Sequence, residues 1–466
     1  MSKNGTNNLS YKIVITIFIL LITCFIIYNF SNKENRQNIE LKFIKNKVTV
    51  VPKINWIIDW NNQPAKKKII YHFANEHDFL HQNIKLNLLA DHELNRRQHA
   101  REIVKMIENN IFEYDIFWID ETVYYLIGEY LNNKDWGNEY LVNFQNIEGF
   151  TLTQRSEIIQ NKNILEQYGN IIPGPFLDGF YGVLWYNKKT ADLLGLEIKD
   201  REMNMEDLLI YAKRIKEYNT NNNKNIALFS EAKDWFNFSN IFFQHLVWNE
   251  LENKSKTDTV DSILNYNFLK KILDYFESLS EYDPLISSHN VNMWYDAERA
   301  FLNDEALFLI GTTNNFNELF SIDSINFQKI LPAELPSFGN NRGYIGNFQP
   351  LFAVFKSAPQ RDAAIELGKV INSPNYAEEW TKLTKCPTGI SVNIKENYLE
   401  NDPYNKFLIY IAKKYQYNVR YSIDAGFITG NKNTSLYSIN ENVRKVLSRQ
   451  LKSDDAFNKI ISNLSE

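Results

Sequence analysis

Residues 47–120 alternate between two hydrophobic periods, and that alternation limits the folds open to the chain more than any other feature. Lys47-Val48-Thr49-Val50-Val51 is β-branched and stops at Pro52, which predicts a strand ending there. A helix is expected over 65–81 and a strand over Ile84–Leu89; a second helix follows, with Ile103, Val104, Met106, Ile107 and Ile111 on one side. The compact apolar run Tyr114–Ile119 then ends at Asp120. Strand, helix, strand, helix, strand is the order of a parallel sheet covered by helices. Ligands of such sheets sit beyond the carboxyl ends of the strands, which brings the Trp56–Trp60 loop and Asp120-Glu121 to a candidate site.

Further on, Tyr168–Phe180 carries Gly169, Pro173, Gly174, Pro175 and Gly179, and no regular structure is expected there. It leads into an extended run, Gly182–Asn187, and a helix beginning at Lys188. A long helix over Met205–Tyr218, a strand over Ile226–Phe229 and an aromatic helix over Trp235–Trp248 form a second αβ unit. Helices are expected over 262–280 and 293–303, and a buried strand over Ala306–Ile310 ends at Gly311-Thr312. No period of 20–50 residues recurs, so a solenoid or propeller is not indicated.

The 51 basic and 56 acidic residues leave a net charge of -5, which argues against a nucleic-acid partner because phosphate recognition needs a basic surface. With 466 residues and 44% hydrophobic content, two or three domains, or one large bilobed fold, can bury a core. Nine Trp, 26 Tyr and 31 Phe, 14% of the chain, supply more rings than a charged protein of this kind usually carries. Lys3 and Lys12 precede the uncharged run Ile13–Tyr28, whose length lies between a signal-peptide core and a membrane span. Leu21-Ile22-Thr23-Cys24 is similar to a bacterial lipobox, with Thr23 in place of its usual Gly, Ala or Ser. Either lipidation of Cys24 or an uncleaved signal anchor places residues beyond about 31 outside the cytoplasm, on a tether over 31–47. Cys24 and Cys386 are the only cysteines, so a disulfide framework is excluded for the mature domain.

No phosphate-binding glycine loop, nucleophile elbow or zinc-spaced cysteine pair is present, and no cofactor is expected. Five of the seven histidines fall between His72 and His99; His77 and His81 have i,i+4 spacing but no accompanying carboxylate pattern, and read as exposed polar histidines. Asp59, Asp120, Glu121 and Asp178 lie near predicted strand ends. Two of them at glycosidase spacing would make an enzyme; as isolated carboxylates they accept hydrogen bonds from ligand hydroxyls, the preferred reading. Trp235 follows a strand and a polar turn, where a ring can face a cleft.

Across about residues 45–395 the chain resembles the extracellular solute-binding proteins of ABC importers, the family of the maltodextrin- and oligosaccharide-binding proteins. Tyr114–Asp120 is similar to the family's third strand, and Pro175–Lys188 followed by Ala191–Leu196 to its crossover strand and next helix. Met205–Leu209 resembles a helix start in which Asn204-Met205 replaces the usual Thr-Trp. Ala300–Thr312 resembles a helix, turn and strand, with Asn303-Asp304-Glu305 and Thr312 as departures. Gly343–Val354 looks like a second crossover, and Ala363–Trp380 like the helices after it.

The resemblance implies an α/β fold of two lobes, the type II periplasmic-binding-protein-like arrangement, each lobe a mostly parallel sheet flanked by helices with hinge strands between. Lobe one would comprise residues 45–180 and 347–394, and lobe two residues 181–346 and, mainly, the C-terminal helices of 395–466. It implies a monomer, not an enzyme, that captures a carbohydrate, an oligosaccharide, between its lobes for an ABC permease. The alternatives are a tethered sensor reporting ligand occupancy and, more remotely, a glycoside-acting enzyme. Placement by strand end and family pattern makes Trp60, Asp120, Tyr181, Trp235, Thr312, Asn314, Tyr344 and Asn347 the expected ligand-binding residues.

Overall fold

In a computed structural model the described residues are 53–58, 64–80, 85–90, 95–154, 165, 167–232, 238–246, 249, 266–286, 291–339, 343–391, 402–415, 419–420 and 436–465. The first lobe opens with β1 (Lys53–Ile58), α1 (Pro64–Leu80), β2 (Lys85–Ala90), α2 (Arg96–Asn109), β3 (Ile116–Phe117), α3 (Glu121–Tyr130) and the short α4 (Trp136–Tyr140). β1 pairs in parallel with β2 on one side and β3 on the other. The helix starts are written locally: Asn95 and Gln98 form a capping box on α2, and the Asp120 side chain accepts the Val123 amide at the start of α3.

Among the described residues the first strand begins just after Pro52. Lys47–Val51 and Trp60 lie outside the described residues, while Trp56 belongs to β1 and is fully buried against Phe352. Pro at a strand boundary marks a start as readily as an end, because its missing N–H is harmless at either.

β4 (Asp178–Asn187) carries the chain into the second lobe, followed by α5 (Lys188–Leu194), α6 (Met205–Asn222), β5 (Ala227–Phe229), α7 (Tyr266–Ser280), α8 (Trp294–Leu302), β6 (Ala306–Thr312), α9 (Asn315–Ile322) and β7 (Ile330–Ala333). β8 (Tyr344–Gln349) returns to β9 (Ala353–Val354), which pairs antiparallel with β3 at the edge of the first sheet. The chain continues through α10 (Arg361–Ile371), α11 (Pro374–Thr384), α12 (Pro403–Lys414), β10 (Val419–Arg420), α13 (Leu436–Leu447) and α14 (Ser453–Ser465). The first sheet has the order β2-β1-β3-β9 and the second β10-β8-β4-β6-β5, with β7 also on β4.

β4 reaches three residues into the stretch expected to be irregular, and it decides the character of the second sheet. Its first half, Asp178–Tyr181, pairs antiparallel with Gln349–Gly346 of β8; its second half pairs antiparallel with β6 and β7. The second sheet is therefore mixed, with β5 parallel to β6, whereas the sequence led us to expect a mostly parallel sheet in each lobe. The cause is that β4 enters from the other lobe as a crossing strand, so no βαβ crossover sets its direction.

One core gathers around the first sheet and extends under the crossing to Trp185 and Phe301; a second packs Leu208, Phe229, Phe276 and Phe308 with the C-terminal helices. Among the described residues no helix is long and apolar enough to cross a membrane, and Ile13–Tyr28 lies outside them. Gly174 sits where the crossing approaches Phe352, and a Cβ there would strike the Phe352 carbonyl oxygen, which is backbone and cannot swing away. Gly174→Ala is expected to lower the unfolding free energy by about 2–3 kcal/mol, read from urea melts, with the fold retained.

Candidate functional site

Alternation along the crossing ladder sorts its side chains. Phe180 stands opposite Asn347 and Asp178 opposite Gln349, so these four share one face of the ladder, while Tyr181 falls on the other. On the Tyr181 face the rings of Tyr344 and Phe348 pack edge-on against Tyr181, and the Tyr344 hydroxyl donates to the Gly182 carbonyl at 2.6 Å. Tyr181 and Tyr344 are fully buried in that core. On the other face a cleft of about 170 Å³, room for roughly six waters at about 30 Å³ each, opens among Lys66, Asp120, Asp178, Phe180, Asn314 and Gln349, with Arg96 and Trp118 at its walls.

Two ion pairs dominate it. Lys66, on the first turn of α1 and only 1% exposed, donates to Asp178 Oδ1 at 2.5 Å and lies 5.6 Å from the centre of the Trp380 ring. Arg96, the first residue of α2, donates through Nε to Asp120 Oδ2 at 2.5 Å, while Asp120 Oδ1 holds the Val123 amide at 2.7 Å. Each carboxylate thus has one oxygen committed to a cation, and the four charges cancel. Glu121 accepts from Asn347 Nδ2 and Gln349 Nε2, both at 3.2 Å, tying α3 to the crossing. Tyr168, fully buried with a hydroxyl that has no hydrogen-bond partner, has its ionisation pushed well above the usual phenol range by burial and then by Glu121, Asp120 and Asp178.

His99 supports the wall. Its ring stacks on Trp118 with centroids 4.1 Å apart, and Nε2 lies 3.0 Å from the Trp118 carbonyl oxygen. Burial pushes its pKa down to about 4, against smaller opposing effects of that hydrogen bond and of Asp120. His99 therefore supports a wall ring rather than a metal; among the described residues no group of three His, Cys, Asp or Glu is placed to hold one.

Of the eight expected contacts, Asp120 and Asn314 line the cleft and Asn347 lies on the cleft face of the ladder, bonded to Glu121. Thr312 is half-buried, its carbonyl accepting from Trp185 Nε1 at 3.1 Å. Tyr181 and Tyr344 are in the core, and Trp60, Trp235 and the Cys24 position lie outside the described residues. The residues the sequence did not disclose are Lys66, Arg96, Trp118, Phe180 and Gln349. A period-two reading of Asp178-Gly179-Phe180-Tyr181 contains the missing signal for Phe180, which is half-exposed where Tyr181 is not.

Asn314 ties the turn before α9 to the segment after α11: its Oδ1 accepts from the Cys386 thiol at 3.1 Å, and nearby Asn317 donates to the Thr384 carbonyl at 2.8 Å. Cys386 is fully buried, and burial pushes its thiol up to about 11.

No protein-family model matches this chain, and no curated protein matches its sequence. Solved structures do. MsmE of Bacillus subtilis in an open conformation aligns at a TM-score of 0.62 with 13% identity, over 89% of this chain and 97% of its own. Maltose-bound MalE3 of T. maritima aligns at 0.59 with 16% identity over 89% and 99%, and the sugar-binding protein MalE of Xanthomonas citri at 0.60 with 11% over 88% and 95%.

Because the folded state holds His99 neutral, protonation favours the unfolded chain. Stability should be full above the ordinary histidine pKa and fall by roughly 3 kcal/mol as pH drops from about 6.5 toward 4. His99→Gln should flatten that part of the profile in thermal melts; an unchanged profile would remove the assignment. The fold that these likenesses show is the two-lobed, periplasmic-binding-protein-like α/β fold, with the cleft where the crossing strands meet both lobes.

Proposed function

We propose that this chain is an extracytoplasmic solute-binding protein that captures a carbohydrate, an oligosaccharide, between its lobes and hands it to an ABC permease without chemistry of its own. The observation that carries the reading is the pairing, on one face of the crossing ladder, of a half-exposed Phe180 ring with charge-balanced hydrogen-bonding groups. A pyranose has apolar faces that stack on a ring and a rim of hydroxyls that both donate and accept, and it carries no charge to be neutralised. Asp120 and Asp178 offer acceptors, Lys66, Arg96 and the Gln349 amide offer donors, and the cancelled charges leave a neutral ligand favoured over an anion. The sugar-binding proteins among the fold neighbours support the same class.

Asp120 and Asp178 each face a cation, not the apolar wall against which a general acid keeps its proton, which supports binding over glycoside cleavage. Ligand contacts from both lobes would shift the molecule toward a closed state about the β4–β8 crossing, with lobe boundaries near 180, 346 and 394. The working form is a monomer tethered to the cell membrane through residues 1–30, by lipid on Cys24 or by an uncleaved anchor.

A thermal-shift screen against maltose, maltotriose, stachyose and xylo-oligosaccharides, with spermidine and glucose 6-phosphate as controls, tests the assignment. A sugar at 100 times its Kd adds about 2.7 kcal/mol and raises the midpoint. Phe180→Ala should weaken that sugar at least about fivefold, since losing a stacked ring costs on the order of 1 kcal/mol or more, while Phe180→Tyr should keep it. Shifts from the charged controls alone would overturn the carbohydrate reading.

A further inference from the structure

Next to the cleft residue Asn314, a pair of carboxyls has no part in the site described so far. Glu298 on α8 is 2% exposed, and Glu318 lies one turn into α9. Asn315 spans them, its amide nitrogen donating to Glu298 Oε1 at 2.8 Å and to Glu318 Oε2 at 2.9 Å. The same side chain accepts the Thr312 amide on Oδ1 at 2.8 Å, and Gly311 leaves the space it needs, since a Cβ there would strike that oxygen.

The shared amide brings the two carboxyls together at one site, and Glu298 Oε2 is buried there with no hydrogen-bond partner. Carboxylates only accept, so two of them meeting in such a site are relieved by a proton held between them. Like-charged carboxyls in one buried site retain such a proton well past the usual range. Burial raises both groups, Glu298 the more strongly. The cation acting on the pair is Lys66 of α1, felt at Glu318 and itself held by Asp178 of β4; β6, which packs against α8, contributes only the apolar and hydroxyl side chains of Ala306–Thr312.

The turn that Asn315 holds is fixed to the crossing at its other side. Thr313 N donates to the Tyr181 carbonyl at 2.9 Å, Tyr181 N donates to Thr313 Oγ1 at 3.2 Å, and the Thr312 carbonyl takes the Trp185 indole N–H. We propose that Glu298 and Glu318 share one proton and, through Asn315, hold the Thr312–Asn314 turn in the orientation that presents Asn314 to the cleft, so that alkaline pH unseats the turn and weakens ligand capture. Both glutamates are positioning residues. The folded protein holds the shared proton where an unfolded carboxyl has lost it; order in the turn is complete at low pH and declines as pH rises through the raised value of the pair. The effect on capture rests on the carbohydrate reading, but the proton and the turn do not.

Infrared spectroscopy of the ligand-free protein at neutral pH should show the C=O stretch of a protonated carboxyl, lost in Glu298→Gln. Amide exchange at Thr312 and Thr313, corrected for intrinsic chemistry, should quicken in the wild type as pH rises through the raised value of the pair, by about tenfold for each pH unit of proton affinity left unmet. The Glu298→Gln profile should stay flat, because Gln mimics the protonated partner. Capture of maltotriose, the probe sugar, should weaken over the same interval in the wild type alone. Absence of the protonated band in the wild type, or parallel exchange profiles in wild type and Glu298→Gln, would overturn the proposal. The wild-type band decides it alone should a variant fail to fold. Absence of maltotriose binding at every pH would count against the carbohydrate reading, with the dyad still decided by the band and the exchange profile.

Discussion

The antiparallel ladder between Asp178–Tyr181 and Gly346–Gln349 governs the rest of the molecule. It is where the chain passes from the first sheet to the second and back, and its pleat decides which side chains meet a ligand. A one-residue change of phase would send Phe180 into the core and Tyr181 into the cleft. Tyr181 is locked the other way by Tyr344 and Phe348, and Gly179 admits the close approach of Phe348 and the Pro387 carbonyl behind it. The hydrophobic effect on one face of the crossing thereby orients the polar groups on the other.

Around that ladder the cleft is assembled from helix and strand ends. Lys66 and Arg96 stand in the first turns of α1 and α2, Asp120 caps α3, and Asn314 immediately precedes α9. Helix starts expose unpaired amides, and polar residues are placed there for local reasons before any ligand is considered. Asp120 shows the economy of this: one oxygen caps α3, and the other holds Arg96 against the wall. Breaking the buried Lys66–Asp178 pair on one side would strand a charge, so those two positions are mutually dependent.

Much of this was legible in the sequence because period and punctuation are local. The alternation through 120 located α1, β2, α2 and β3 to within a few residues, and the end of the third strand pointed to Asp120. The strand expected before Pro52 lies outside the described residues, and β1 follows that proline, which marks a boundary without saying on which side a strand lies. Strand ends and family pattern point to Tyr181 and Tyr344, whereas the pleat determines exposure and buries both. Lys66 was invisible for a different reason: its partner Asp178 is 112 residues away, and only the crossing brings them together. The Glu298–Glu318 pair depends in the same way on α8 packing against α9, and nothing in its spacing of twenty residues marks it.

The central claim is that the Phe180 face of the crossing is where a neutral, polyhydroxy ligand is held. A crystal structure with the sugar that gives the largest thermal shift tests it most directly. The account predicts a pyranose ring stacked on Phe180, hydroxyls within hydrogen-bond reach of Asp120 and Asp178, and Asn314 completing the contact from the second lobe. A sugar seated elsewhere, with Phe180 bare and both ion pairs untouched, would contradict it.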